Sequence, residues 1–277
     1  MNVIPIFSVK RRTVLLAAST VIICSHSGIA SAEESQAEIA KKLNNPVAAM
    51  ISVPFQFNYD EDLGPSKQGE RTLLNIQPVI PVSISEDWNL ISRTILPVLK
   101  LEDVPPGTSE EGIGDINQSL FFSPKAPTAS GWIWGVGPSL LFKTASDDSL
   151  GTGKWAAGPT AVVLKQESGW TYGALANHLW SYAGDDDRSD VNATYVQPFL
   201  AYTTSTYTTF GINTESTYNW KGNSWSVPVN MTVTQLFKIG NQPMSLQVGP
   251  RYWADTPDNQ GPDGWGWRLA YTLVFPK

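Results

Sequence analysis

The feature that most constrains this chain is an alternation of period two that recurs along most of its length. Its last instance is the clearest: Trp265, Trp267, Leu269, Tyr271, Leu273 and Phe275 are large and apolar, and Gly266, Arg268, Ala270 and Thr272 lie between them. Successive strand residues point to opposite faces, so such a segment has one apolar and one polar face. The same pattern runs through Ile51–Tyr59, through Leu74–Ser83, through Asp115–Phe122 and through Trp132–Lys143. It returns in Phe210–Trp220, Val227–Lys238 and Met244–Tyr252. Residues 88–101, 154–166, 170–182 and 192–204 also read as strands, with an alternation too weak to assign their faces. The total is twelve strands.

Two packed soluble sheets also alternate, so the apolar faces must be judged by their size and ends. Trp88, Trp132, Trp170, Phe122, Phe237 and Phe275 fall near one end of their strands. Trp155, Trp220, Trp225, Trp265, Tyr59 and Tyr252 fall near the other. Two aromatic belts flanking an apolar band are the pattern of a transmembrane barrel, and they account for eleven tryptophans. The connections segregate as well. Counted from the first strand, odd connections hold 16 of the 25 acidic residues, from Asp60, Glu61 and Asp62 to Asp255, Asp258 and Asp263. Even connections are mostly short, as in Ser85-Glu86-Asp87 and Gly240-Asn241-Gln242. An even number of strands closes the sheet without a free edge. The expected fold is all-β, a closed antiparallel transmembrane β-barrel of twelve strands with a short N-terminal helix.

The N-terminus sets the compartment. Lys10, Arg11 and Arg12 precede an apolar stretch from Val14 to Cys24, and Ala30-Ser31-Ala32 forms a cleavage signal before Glu33. This is the layout of a secretory signal peptide, residues 1–32; the apolar run is shorter than the ~20 residues of a spanning helix. Without its three basic residues, the mature chain has 16 Lys+Arg against 25 Asp+Glu, a formal charge of −9. It has no cysteine and one histidine, His178, which excludes disulfides, thiolate metal sites and cysteine nucleophiles. An acidic chain without basic clusters is a poor binder of nucleic acid. Residues 33–49 contain helix formers up to Leu43, stopped by Pro46, and are expected to lie in the periplasm or to plug the barrel, which occupies 50–277.

Asn45-Pro46-Val47-Ala48 leading into Ile51–Tyr59, the segment Trp88–Pro97, and Asn177-His178-Leu179-Trp180-Ser181 carry a family resemblance. They resemble a family of Gram-negative barrel proteins commonly labelled "transporter" or "neuromedin U". That family is similar to outer-membrane proteins associated with meta-pathway phenol degradation. The resemblance spans nearly the whole mature chain and implies an outer-membrane barrel with a transport role. It supplies no catalytic or binding motif. Arg268-x-Ala270-x-x-Leu273-x-Phe275 resembles the C-terminal signal read by the barrel assembly machinery, with Ala270 where glycine is usual and Pro276-Lys277 after the phenylalanine. Outer-membrane lipid, lipopolysaccharide and that machinery are the expected partners.

Candidate functional residues come from parity. Gln56, Asn58, Asn75, Gln77, Asp115, Asn117, Lys143, Asn213, Glu215, Asn230, Thr232, Gln247, Arg251 and Arg268 are expected to line the lumen. Twelve strands lie between the eight that side chains fill and the sixteen that leave an aqueous channel. The leading expectation is a narrow channel for small solutes, whose acidic outer rim favours cations or neutral polar molecules. The alternatives are a lipid-directed enzyme and a closed structural or adhesive barrel. For the enzyme, His178 needs a serine within reach, and Ser181, three residues on, faces the opposite side. Asp185, Asp186, Asp187 and Asp190 form the densest acidic run and a weak candidate for divalent cations, read first as a solvated loop. No cofactor is expected.

Overall fold

The computed structural model describes residues 35–258 and 261–276. The signal-peptide residues, from Lys10 to Ala32, lie outside them. Fifteen ladder segments form one antiparallel sheet that closes on itself. Three pairs of segments continue one another, which leaves twelve strands. They are β1 (Ile51–Leu63), β2 (Gly69–Ile76, then Val79–Ser83), β3 (Trp88–Glu102) and β4 (Ser109–Ile113, then Ile116–Pro124). Next come β5 (Trp132–Phe142), β6 (Lys154–Glu167), β7 (Trp170–Gly184) and β8 (Asn192–Thr203). The last four are β9 (Thr208–Thr214, then Ser216–Asn219), β10 (Ser224–Ile239), β11 (Gln242–Asp255) and β12 (Gly264–Phe275). Each strand pairs with its sequence neighbours, and β12 closes on β1 from Ile51↔Phe275 to Asp60↔Gly266.

The outer surface is apolar. Val136, Val163, Ile212, Val233, Val248 and Leu269 are all two-fifths exposed or more, and Phe57 nearly so. A soluble monomer rarely exposes a contiguous apolar patch above a few hundred Å². A surface of this kind around a closed ladder belongs in lipid, where every backbone polar group must be paired internally. Its two margins carry aromatic rings in contact. At the end that holds the short turns, Trp88 meets Trp134 edge-on at 5.7 Å, Trp132 meets Tyr172 at 5.9 Å, and Trp170 lies 4.9 Å from Tyr202. At the loop end, Phe142 meets Trp155 at 5.8 Å, Tyr218 meets Trp220 at 4.8 Å, and Tyr252 lies 4.9 Å from Trp265. A charge at the middle of this band is costly. Val248→Arg is expected to lower stability by about 2–4 kcal/mol, and Tyr252→Arg at the margin by roughly 0–1 kcal/mol. Denaturant unfolding in lipid vesicles, followed by tryptophan fluorescence, reads both; equal losses would refute the assigned depth.

Proline is unusually common inside the strands. Pro54, Pro81, Pro97, Pro138, Pro159, Pro198, Pro228 and Pro250 occupy eight of the twelve, and Pro138 stands directly opposite Pro159. Each removes one ladder donor.

The N-terminal segment lies against the inner wall. Helix α1 (Gln36–Leu43) begins at Ser35, whose hydroxyl accepts from the Glu38 N–H at 3.2 Å, and it ends at Asn44 ahead of Pro46. Ile39, Ala40, Ala48 and Met50 pack with Leu236 of β10 and Val274 of β12, both inward-facing. Val47 packs with Ile91, Phe121, Val162, Leu164 and Leu175, drawn from β3, β4, β6 and β7. Gln166 donates to the Lys41 carbonyl at 2.8 Å, and Asn44 donates to Thr203 Oγ1 at 3.2 Å. These partners place residues 36–50 inside the barrel at its turn end.

Candidate functional site: the lumen

The inward side chains divide the lumen into a sealed side and an open side. The sealed side is built on β1, β2, β11 and β12, with Glu215 reaching in from β9. Arg268, 2% exposed, donates through both terminal nitrogens to Glu215, at 3.0 and 2.7 Å, and through Nε to Asn58 Oδ1 at 2.8 Å. Arg251 donates to the same Asn58 oxygen at 3.2 Å and lies 3.9 Å from Glu215. Asp60, fully buried, takes Arg71 on one oxygen at 2.8 Å and the Trp253 indole N–H on the other at 2.7 Å. Arg251 Nε is 3.2 Å from that second oxygen, close enough for an ion pair but off the N–H axis, so no hydrogen bond forms. The Arg71 and Arg251 guanidiniums stack on the Trp253 ring at 5.5 and 4.5 Å. Buried charges persist only when paired and hydrogen-bonded, and this arrangement meets that condition.

On the open side three cavities follow one another. The first, about 260 Å³, lies beside Asn44, Asn45 and Met50 of the N-terminal segment and reaches Gln56, Gln77 and Arg93. The second, about 290 Å³, shares those three side chains and adds Asn75, Asn117, Asn177, Tyr195 and Glu215. The third, about 700 Å³, shares Ala193 and Thr217 with the second and opens among Asp187, Arg188 and Asp190 at the loop end. The three cavities thus succeed one another along the lumen, each sharing lining residues with the next. Gln56, Gln77 and Arg93 stand between the first and second cavities, and Arg93 Nη2 donates to Gln77 Oε1 at 3.1 Å.

The parity candidates distribute over this frame. Gln56, Asn75, Gln77, Asn117 and Glu215 border the central cavity. Asn213, Thr232 and Gln247 border the turn-side one. Asn58, Arg251 and Arg268 belong to the sealed network, and Asn230 is fully buried, donating to Asn213 at 2.9 Å. Asp115 and Lys143 sit at the loop rim. The Asp115 carboxylate accepts from the backbone N–H groups of Thr144, Ala145 and Thr152 and so anchors the 143–153 loop. Lys143 pairs with Asp185 at 2.5 Å. Parity reading missed Arg93, Arg71, Trp253, Asn177 and Tyr195. It also grouped Asp60 with the rim acids, although the side chain turns into the lumen.

The acidic loop is partly neutralised. Asp190 lies 3.3 Å from Lys154 and 3.7 Å from Lys221, and the Ser181 hydroxyl followed by Lys154 holds its carboxyl below the usual range. Asp263, paired with Lys67 at 2.5 Å, is lowered in the same way. Among the described residues no group of three His, Cys, Asp or Glu side chains is arranged to hold a metal ion. His178 is on the outer face. Its Nδ1 lies 2.7 Å from Thr194 Oγ1, which also accepts from the Trp220 indole at 2.8 Å, and its ring rests 4.0 Å from Trp180. The cross-strand hydroxyl beside it is thus a threonine holding an indole. Ser181 points inward to Asp190.

No family model matches the chain, and no curated protein matches it in sequence. Solved structures do match it in fold. An outer membrane channel from Pseudomonas putida F1 superposes with a TM-score of 0.65 at 15% identity, covering 82% of this chain and 96% of that one. The NanC porin superposes with a TM-score of 0.50 at 10% identity, over 80% of this chain and 98% of the porin. Outer membrane phospholipase A from Escherichia coli follows with a TM-score of 0.47 at 11% identity, over 81% and 90%. At these identities the likeness is one of fold, that of outer-membrane barrels.

Proposed function

We propose that this protein is a narrow outer-membrane channel for small solutes, gated at its turn end by residues 33–49. The observation that carries this reading is the series of cavities sharing walls from the N-terminal segment to the loop mouth. A barrel whose only task was mechanical has no need of a polar path. The fold is shared with a bacterial outer membrane channel and with a porin, and the resemblance to "transporter" barrels supports the same role. In this orientation both ends of the barrel domain, the turn connections and α1 face the periplasm, and the 143–153 and 185–191 loops face outward. The barrel assembly machinery and lipopolysaccharide are the corresponding partners.

The test is single-channel recording of the refolded mature protein in a planar bilayer. Small, discrete and reproducible openings are expected. A bilayer that stays silent across the voltage range, with protein shown to be inserted, would refute the channel.

A further inference from the structure

The charge inside the barrel runs opposite to the charge on its rim. On the strands between the two mouths, the inward-facing charged side chains are Arg71, Arg93, Arg251 and Arg268 against Asp60 and Glu215, a balance of +2, and Lys42 of the N-terminal segment lines the turn-side cavity besides. Three of the arginines are held by the two carboxylates. The fourth, Arg93, is not. Among the described residues it bonds one side chain, the Gln77 amide oxygen, and no carboxylate lies within 4.0 Å. One of the two excess positive charges therefore sits on Arg93, where two cavities share its side chain, and the other stays within the sealed network. A low-dielectric wall focuses the field of such a charge along the lumen.

The surroundings specify more than an anion. A guanidinium has five N–H donors in a planar fork that matches a carboxylate. Gln77 takes one of them. Asn75 and Asn177 in the same cavity make no side-chain hydrogen bond to protein among the described residues, and their amides are available as further donors. Leu175, Leu179 and Ile95 give the same wall an apolar patch, and its one carboxylate, Glu215, is already held on both oxygens by Arg268. At about 290 Å³ the cavity is at the small end of the range for ligand sites.

We propose that the central cavity is a selectivity site for small monocarboxylates with a compact apolar body, their carboxylate on Arg93 and their body against Leu175 and Leu179. The proposal rests on the channel reading and deepens it. It replaces the expectation from the acidic rim, because the loop carboxylates Asp185, Asp190 and Asp263 are paired with lysines and the lumen arginine is not.

The experiment uses the full mature protein, with butanoate as probe and butylammonium as its charge-reversed counterpart. Reversal potentials in a KCl gradient are expected to show anion preference in the wild type and little preference in Arg93→Gln. Arg93→Lys is expected to retain most of it. Butanoate is expected to reduce the chloride current of the wild type at millimolar concentration and to leave Arg93→Gln unaffected, and butylammonium to have no such effect. Circular dichroism with the same strand signal in all variants excludes misfolding. If the wild type conducts but prefers cations, or if butanoate blocks Arg93→Gln equally well, the monocarboxylate site is refuted while the channel stands. If no current flows, calorimetric titration of butanoate into the detergent-solubilised protein decides. Binding that Arg93→Gln abolishes keeps the site and removes the channel; no binding refutes both.

Discussion

Deleting residues 33–49 is expected to raise single-channel conductance several-fold and to leave the barrel folded. Two sets of contacts hold this segment. Val47 fills an apolar nest on β3, β4, β6 and β7, and α1 covers Leu236 and Val274 on the opposite wall. Together they occupy the turn-side end of the lumen, beside cavities of roughly 260 and 460 Å³. Its tethers are few: Gln166 to the Lys41 carbonyl and Asn44 to Thr203. Removing the segment loses a modest apolar interface and no ladder bond of the wall, so the strand signal should persist while the open level rises. Noise should rise as well, because the exposed nest at Ile91 and Phe121 no longer has a fixed partner. Unchanged conductance in the truncated protein would show that the limiting constriction lies elsewhere, with Arg93 and Gln77 the next to test.

The largest loss of stability is expected from Arg268→Met. Arg268 holds both oxygens of Glu215 and shares Asn58 with Arg251, all within the lumen wall. Removing one member of a buried pair leaves an uncompensated charge and costs about 3–5 kcal/mol. Arg251 is 3.9 Å from Glu215 and recovers only part of this. The double variant Arg268→Met with Glu215→Leu should be closer to wild type than Arg268→Met alone, because it removes the orphan as well as the bond. Denaturant unfolding of these two variants, of Glu215→Leu alone and of the wild type in vesicles measures the coupling. Additive losses would mean that the two side chains do not depend on each other.

The strand count and the closure were legible in the sequence, and so was the facing of eight strands. The reason is the outer surface: lipid demands large apolar side chains at alternate positions wherever the other face is polar. The remaining four strands resisted for a physical cause that the structure makes plain. On β6, β7 and β8 the inner face is also partly apolar, because Val162, Leu164, Leu175 and Phe199 pack toward the N-terminal segment or its neighbours. With both faces apolar, the period-two signal fades. On β3 it fades from the other side: Ser92 and Thr94, bonded to Gln118, face outward, while Ile91 faces in. Arg93, Asn177 and Tyr195 lie on these strands and therefore went unread, although they complete the central cavity. Asp60 was misplaced for a different reason. Its neighbours Glu61 and Asp62 belong to the rim, but β1 runs on to Leu63, so Asp60 keeps the inward parity of Asn58 and meets Arg71 and Trp253.

The prolines inside eight of the strands bear on the life of the chain before it reaches a membrane. A polypeptide made of long alternating strands is, while unfolded in water, a set of ready templates for intermolecular pairing. A residue with no amide hydrogen near the middle of a strand interrupts such a template, because no partner chain can zip past it without losing a bond. In the finished barrel the loss is small, since the neighbouring strands are held by closure of the ring. Before the barrel closes, the same interruptions limit pairing between copies of an acidic chain that has no disulfide to restrain it. The wall is therefore shaped by the journey as well as by the destination.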